Sequence, residues 1–131
     1  MEPRIHSGEF VLINTLAYRF GGIRRGDIVA FHHDSPTPQT YLKRVVGLPG
    51  DRVSIDRGNV AIDGKPVAEG YVRFRDTHSL AAVTVPAGGV YVLGDNRANS
   101  DDSRNWGILP ERDVIGKAIV TLWPFKEIDA P

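Results

Sequence analysis

Hydrophobic residues occur in short runs along this chain, and polar or turn-forming residues separate the runs. Four runs are rich in β-branched and aromatic residues and are bounded by Gly, Pro or Asp, which is typical of strands. These runs are residues 9–14, 27–32, 41–47 and 90–93, and a longer one, Val114–Trp123, ends at Pro124. The pattern predicts a protein built mainly from short β-strands.

Two dipeptides predict tight hairpins near the middle of the chain. Asp63-Gly64 separates residues 60–62 from residues 65–67, and Arg57-Gly58 separates residues 53–55 from Asn59–Ile62. A two-residue hairpin turn of type I′ needs residues that tolerate positive φ, as these do. We therefore expect a three-stranded antiparallel meander here.

Helical patterns are weak by comparison. Residues 14–20 predict one or two turns before Gly21-Gly22, and residues 101–104 and 110–113 predict one turn each. The fold class is therefore mostly β, with folded antiparallel sheets or a partly open β-barrel and few short helical turns. We expect one domain over residues 1–131, in which residues 67–85 form a small excursion or flexible loop.

Composition and charge narrow the possible functions. The 131 residues are 41% hydrophobic and 24% charged, which excludes a disordered tail. Sixteen basic and sixteen acidic residues give no net charge, which disfavours a nucleic-acid partner. The chain has no cysteine, so thiol catalysis and zinc–cysteine sites are excluded. No apolar run approaches the ~18 residues of a spanning helix, and we assign no metal or cofactor.

Lys43 is the first candidate for chemistry. On a strand over residues 41–47 it shares one face with Tyr41 and Val45, whereas Arg44 lies on the opposite face. A lysine held among apolar side chains loses hydration of its charged form, so its pKa falls and it can act as a base. The alternative is that both cations reach solvent from an edge strand.

The second candidate is the loop at residues 94–104, GDNRANSDDSR. It is not a calcium loop of the EF-hand type, because Ser100 stands where that loop needs Gly and Trp106 where it needs Glu. Pairing of Asp102 with Arg104, or of Asp95 with the nearby Arg97, would hold the loop rigid and present Ser100 or Asn99 to a neighbour. A hydrogen-bonded surface turn is an equally good interpretation.

Four segments together resemble type I signal peptidase, the membrane-bound Ser/Lys protease that removes signal peptides from exported proteins. Met1-Glu2-Pro3 is similar to the stretch after the family's nucleophilic serine, and residues 25–29, RGDIV, to its RGD segment. Residues 41–51, YLKRVVGLPGD, match the segment of its general-base lysine, and residues 94–104 match its GDNRxNSxDSR motif. The matches follow the family's order and cover nearly the whole chain.

The resemblance implies roles for the candidate residues. Lys43 would be the general base, neutral because it is desolvated, and Ser100 would orient its amine. Asp102 and Arg104 would form a supporting ion pair, and Asp95 would brace the loop. Cleavage would require no cofactor.

The resemblance also implies that the signal peptide of a preprotein binds in an extended form, as an added strand. The substrate-binding residues would then be Met1, Pro3, Thr40, Tyr41 and Leu42. Among them, Leu42 would line a shallow pocket that selects a small residue, and Thr40 would supply backbone contacts.

The family's nucleophilic serine directly precedes the methionine that corresponds to Met1. We therefore expect the nucleophile and an N-terminal membrane anchor upstream of Met1, the catalytic domain on the extracytoplasmic side of the cell membrane, and no peptidase activity from these 131 residues alone. Arg4 replaces the family's Thr and departs from its pattern.

Two other functional classes compete with this interpretation. The self-cleaving repressor and polymerase-subunit proteases share a Ser/Lys dyad and a related β fold, but they lack a loop like residues 94–104. A non-catalytic β-barrel module that binds an extended peptide would need neither Lys43 nor Ser100.

Overall fold

The computed structural model of the chain describes residues 10–18, 21–32, 40–70, 72 and 76–123. These residues form short strands, one helix α1 (Ser103–Trp106), and 3-10 turns at Arg97–Asn99 and Glu111–Asp113. The strands in chain order are β1 (Phe10–Asn14), β2 (Ile28–His32), β3 (Thr40–Gly47), β4 (Arg52–Asp56), β5 (Asn59–Ile62), β6 (Lys65–Pro66), β7 (Leu80–Thr84), β8 (Gly89–Leu93), β9 (Leu109–Pro110) and β10 (Val114–Trp123). The prediction of a mostly β fold is confirmed.

The strands form two antiparallel sheets. The larger sheet has the order β1-β10-β2-β3-β8-β9, and the smaller has the order β6-β5-β4-β7. Within the described residues neither sheet closes into a barrel, so the folded-sheet form of the prediction is the one observed.

The two predicted hairpin turns are present, and both have positive φ at their central residues. The values are 47° and 84° at Arg57 and Gly58, and 52° and 81° at Asp63 and Gly64. These turns join β4 to β5 and β5 to β6, as the meander requires.

Several elements differ from the sequence-based expectation. Residues 80–84 form β7. No strand is predicted there, because four of its five side chains are exposed and do not alternate with buried ones. The helix near residues 101–104 begins at Ser103, after the Asp102 cap. Asn14 ends β1, residues 15–18 make a turn and no helix, and residues 19–20 of that predicted element lie outside the described residues.

Strand β8 connects two hydrophobic cores because its side chains alternate between them. Tyr91 and Leu93 belong to the core that the larger sheet shares with β4 and β5. Val90 and Val92 belong to a second core with residues of β2, β3 and β9. All five residues of β8 are buried, so the loop that follows it starts from a fixed point.

Candidate active site

Lys43 and Ser100 meet at the junction of strand β3 and the loop after β8. The Lys43 Nζ donates a hydrogen bond of 3.1 Å to the Ser100 Oγ, although 57 residues separate the two along the chain. Both residues are half-buried. The alternation of side chains along a strand predicts a partly apolar face for Lys43. The structure adds the Ser100 hydroxyl, which lies beside the Lys43 amine.

Gly94 makes this approach possible. A Cβ at this position would overlap the Ser100 Oγ and would lie 3.4 Å from the Lys43 Nζ. Any larger residue at position 94 would therefore separate the hydroxyl from the amine.

Asp102 holds the loop from its buried centre. Its carboxylate accepts hydrogen bonds from the Gly94 N–H at 3.0 Å and the Arg104 N–H at 3.1 Å, and it caps helix α1. Burial raises the pKa of this carboxyl, but hydrogen bonds from Arg104, Gly94 and Ser100 outweigh burial and hold the pKa below its usual value. Asp102 is therefore an anion whose charge is held chiefly by Arg104 and the Gly94 N–H, with a smaller contribution from the Ser100 hydroxyl.

Arg104 pairs with two carboxylates at once. Its Nε lies 2.9 Å from Asp102 Oδ1, and its Nη1 lies 2.7 Å from Asp76 Oδ2. Burial lowers the pKa of Arg104, but the bond to Asp102 and the charges of both carboxylates outweigh burial and raise it. The expected pair of Asp102 and Arg104 is thus present, and Asp76 is an additional member that the motif did not include.

The pKa of Lys43 is lowered from its usual value. Burial is the main cause, because it penalises the charged amine, and the charge of Asp102 partly opposes it. The charge of Arg104 lowers the pKa further. An amine in this environment loses its proton more readily than an exposed lysine does.

Arg44 has a different environment, although it is the next residue on β3. Its Nε and Nη2 donate to the two oxygens of Asp95 at 2.9 and 2.8 Å, and its Nη1 donates to the Gly26 carbonyl at 2.8 Å. Both side chains of the pair are nearly inaccessible, at 3% and 0% exposed. The alternative in which Arg44 reaches solvent is therefore wrong. Asp95 pairs with Arg44, so the alternative pairing of Asp95 with Arg97 is not the one observed.

Arg97 instead pairs with Glu69, a residue that the sequence did not single out. The Arg97 Nη1 donates to Glu69 Oε1 at 3.1 Å, Nη2 contacts the other oxygen, and Nε donates to the Gly94 carbonyl at 2.7 Å. The pairing joins positions 28 residues apart, and local sequence patterns do not indicate contacts at that separation.

The predicted substrate residues lie at the start of β3. Thr40 is exposed, whereas Tyr41 and Leu42 are half-buried. The ring of Tyr41 stacks on that of Phe31, with 5.9 Å between the ring centroids. Strand β8 pairs with β3 only from Arg44 onward, so within the described residues no strand pairs with the β8-side edge of positions 40–43. Met1, Pro3 and Arg4 lie outside the described residues.

The described residues contain neither a candidate metal site nor a membrane-spanning helix. They contain no group of three or more His, Cys, Asp or Glu side chains placed to hold a metal ion. They also contain no helix long and apolar enough to cross a membrane.

Comparison with known proteins places the chain among the β-rich serine peptidases. The family described as "Signal peptidase, peptidase S26" matches residues 1–123. The chain belongs to this signal peptidase family.

Named relatives agree with that assignment. A signal peptidase I of Leptolyngbya laminosa is 36% identical over 98% of this chain and 66% of its own length. A signal peptidase I of Bacillus caldolyticus is 38% identical over 97% of this chain and 76% of its own length. The chain therefore spans about two thirds to three quarters of the length of these relatives.

A solved structure is also similar. The crystal structure of a signal peptidase I from Enterococcus faecalis matches with a TM-score of 0.62 and 33% identity, and it covers 72% of this chain and 95% of that one. The observed arrangement of sheets is thus the signal peptidase fold.

Proposed function

We propose that this chain forms the catalytic part of a signal peptidase of type I, which cleaves signal peptides from exported preproteins by a Ser/Lys dyad. Lys43 is the general base of this proposal. The observation that carries it is the 3.1 Å bond from the Lys43 Nζ to Ser100, in a half-buried site of a chain that belongs to the signal peptidase family. The lowered pKa of Lys43 also supports the assignment.

In the proposed reaction, the nucleophile is a serine directly before Met1. Its Oγ attacks the carbonyl carbon of the scissile bond while the neutral Lys43 amine takes its proton. The tetrahedral intermediate collapses, the C–N bond breaks, and Lys43 returns the proton to the leaving amine. A water molecule then attacks the carbonyl carbon of the acyl ester while Lys43 accepts its proton. The ester C–O bond breaks, Lys43 returns the proton to the serine Oγ, and the new carboxyl terminus is released.

Ser100 and Asp102 orient the base in this proposal. The Ser100 hydroxyl donates to the Asp102 carboxylate, so its lone pairs face the Lys43 amine and accept from it. This arrangement fixes the amine without giving it a carboxylate partner. A direct carboxylate contact would stabilise the protonated form and raise the pKa of the base.

The substrate binds as a strand along the open edge of β3. Val45 exchanges both backbone hydrogen bonds with residues 26 and 27, each at 2.8 Å, so its N–H and C=O point away from β8. Backbone groups alternate along a strand, so those of Thr40 and Leu42 point toward the open edge. An extended peptide pairs there, and its main chain supplies affinity for varied sequences.

Selection of a small residue before the cut, as in Ala-x-Ala sites, is the specificity we propose. Half-buried Leu42 lines a shallow pocket that admits Ala and excludes longer side chains. In the complete protein, an N-terminal segment anchors this domain at the extracytoplasmic face of the cell membrane.

The test uses an extended chain in which Met1 is preceded by serine, and a matched version with alanine at that position. We expect the serine version to cleave a signal-peptide substrate after Ala, and to cleave far more slowly when Leu replaces that Ala. The alanine version and the 131 residues alone are expected to be inactive.

Equal cleavage by the serine and alanine versions would contradict the proposed nucleophile. Binding of the peptide without cleavage by the serine version would favour the non-catalytic β module.

A further inference from the structure

The segment between β6 and β7 supplies two carboxylates to the loop at residues 94–104. Glu69 meets Arg97, and Asp76 meets Arg104, so each arginine of that loop has a partner in the same distant segment. The sequence predicted only an excursion or flexible loop here. The contacts indicate a more specific role.

The ion pair of Glu69 and Arg97 is buried and bidentate, because two guanidinium nitrogens contact the two carboxylate oxygens. Their side chains are 2% and 3% exposed. Through its Nε, Arg97 also holds the carbonyl of Gly94, the residue whose missing Cβ leaves room for Ser100. Glu69 therefore acts on the site through Arg97 and the backbone of Gly94.

The pair of Asp76 and Arg104 acts at the other end of the loop. Their side chains are 12% and 11% exposed, and the Arg104 Nη2 donates to the carbonyl of Arg97 at 3.0 Å. Arg104 in turn donates to Asp102, which accepts from the N–H of Gly94 and whose charge the Ser100 hydroxyl also stabilises. A series of polar contacts thus runs from Asp76 through Arg104 and Asp102 to the backbone of Gly94, the residue that lies against Ser100.

Asp76 is itself positioned by the β4–β5 turn. The Gly58 N–H donates to the carbonyl of His78 at 2.8 Å, and the Arg57 N–H donates to the Ser79 Oγ at 2.9 Å. A Cβ on Gly58 would overlap the backbone carbonyl oxygen of Asp76. The β4–β5 turn of the smaller sheet therefore lies directly against the backbone of Asp76, and Asp76 contacts the loop at residues 94–104 through Arg104.

We propose that Glu69 and Asp76 are positioning residues that clamp the loop at residues 94–104, and that the turn at Gly58 sets the place of Asp76. The inference rests on the proposed function, since it describes how the same site is kept in register. Buried ion pairs cost desolvation and are a weak source of net stability, so a role in holding one geometry is the better account of both pairs.

The first experiment compares Gly58→Ala with Gly64→Ala in the 131-residue chain. Both glycines have positive φ, at 84° and 81°, so both variants carry the same backbone strain. Nothing lies within 4 Å of a Cβ at Gly64, so only the Gly58 variant displaces Asp76.

Hydrogen exchange and the NMR titration of the Lys43 side chain are the measurements. In Gly58→Ala we expect exchange at the amides of Gly94 and of helix α1 to rise about tenfold relative to Gly64→Ala, with β8 amides as the internal reference. We also expect the Lys43 titration midpoint to move toward that of a free lysine, because a loosened loop admits water. Equal loop exchange and equal Lys43 midpoints in the two variants would overturn the proposal.

The second experiment removes the charges directly with Glu69→Gln and Asp76→Asn. Asp56→Asn is the control, since Asp56 pairs with Arg57 on the surface, with both side chains about four-fifths exposed. In the serine-preceded chain, we expect the two clamp variants to lower kcat about tenfold with KM little changed, and the control to match the parent.

These readouts separate the two proposals. An inactive serine-preceded parent with the expected exchange and titration results would count against the proposed function only. An active parent whose clamp variants match Asp56→Asn in kcat would overturn the clamp.

Discussion

Lys43 and Arg44 are neighbouring cations on one strand, yet their surroundings are opposite. Lys43 is half-buried and contacts one neutral hydroxyl, whereas Arg44 is buried and forms a two-pronged pair with Asp95. One face of β3 thus carries an amine whose pKa is lowered by burial, and the other carries a guanidinium in a buried ion pair. The chemistry of the contacting group distinguishes the two residues more than their depth of burial does, because Lys43 contacts a hydroxyl and Arg44 contacts a carboxylate.

The contrast shows how one strand serves both chemistry and architecture. A guanidinium remains protonated throughout the physiological pH range and matches a carboxylate with two parallel hydrogen bonds. It therefore suits a permanent buried ion pair. An amine deprotonates when it is desolvated, so it suits a base. If the two residues were exchanged, the face beside Ser100 would carry a guanidinium, which does not suit a base, and the face beside Asp95 would carry an amine, which does not suit a permanent ion pair.

The largest effect is expected from Lys43→Met in the serine-preceded chain. Loss of the proposed general base should reduce the cleavage rate about 10²- to 10⁴-fold. The fold should be retained, because the amine makes no buried ion pair. Lys65→Met, which alters an exposed lysine on β6, is the control and should keep full activity. Peptide cleavage measures the rate, and substantial residual activity would show that another group is the base.

The next effect is expected from Arg44→Met in the 131-residue chain. It leaves Asp95 buried without its cation, so the free energy of unfolding should fall by about 3–5 kcal/mol. Arg52→Met, at an exposed position on β4, should change it by less than about 0.5 kcal/mol. Urea denaturation gives both values. If Arg44→Met cost no more than Lys43→Met, the distinction between the two cations would fail.

The smallest effect is expected in the dependence of stability on pH. The pKa of Lys43 is lowered in the folded state, so below that pKa the folded protein bears the full cost of a buried charge. As pH rises from the folded pKa toward 10.5, the folded state releases its proton first and stability increases, by at most about 1.4 kcal/mol per pH unit.

Urea denaturation between pH 7 and pH 9.5, compared between the parent chain and Lys43→Met, isolates the slope due to Lys43. An identical dependence on pH in the two proteins would contradict the lowered pKa.

Local patterns in the sequence predicted the parts of this molecule that depend on adjacent residues. Asp63-Gly64 predicted its turn because positive φ is a property of those residues. Lys43 was placed on a partly apolar face because side chains alternate along a strand. The loop motif and its order along the chain then indicated the family, which the comparisons confirm.

Long-range pairings were beyond local patterns. Arg44 and Asp95 are 51 residues apart, and Glu69 lies in a stretch without periodicity, so neither partner could be read from its neighbours. Strand β7 was missed because its exposed side chains, including Ala81 and Ala82, follow no alternation that favours a strand.

The double-sided burial of β8 limits how far this domain can be reduced in size. A fragment that kept the larger sheet and omitted the smaller would expose Tyr91 and Leu93 to water, while Val90 and Val92 stayed packed behind them. Such a fragment would present an exposed apolar surface directly beside the loop at residues 94–104. Attempts to engineer a minimal peptidase from this scaffold should therefore trim surface turns and retain both sheets.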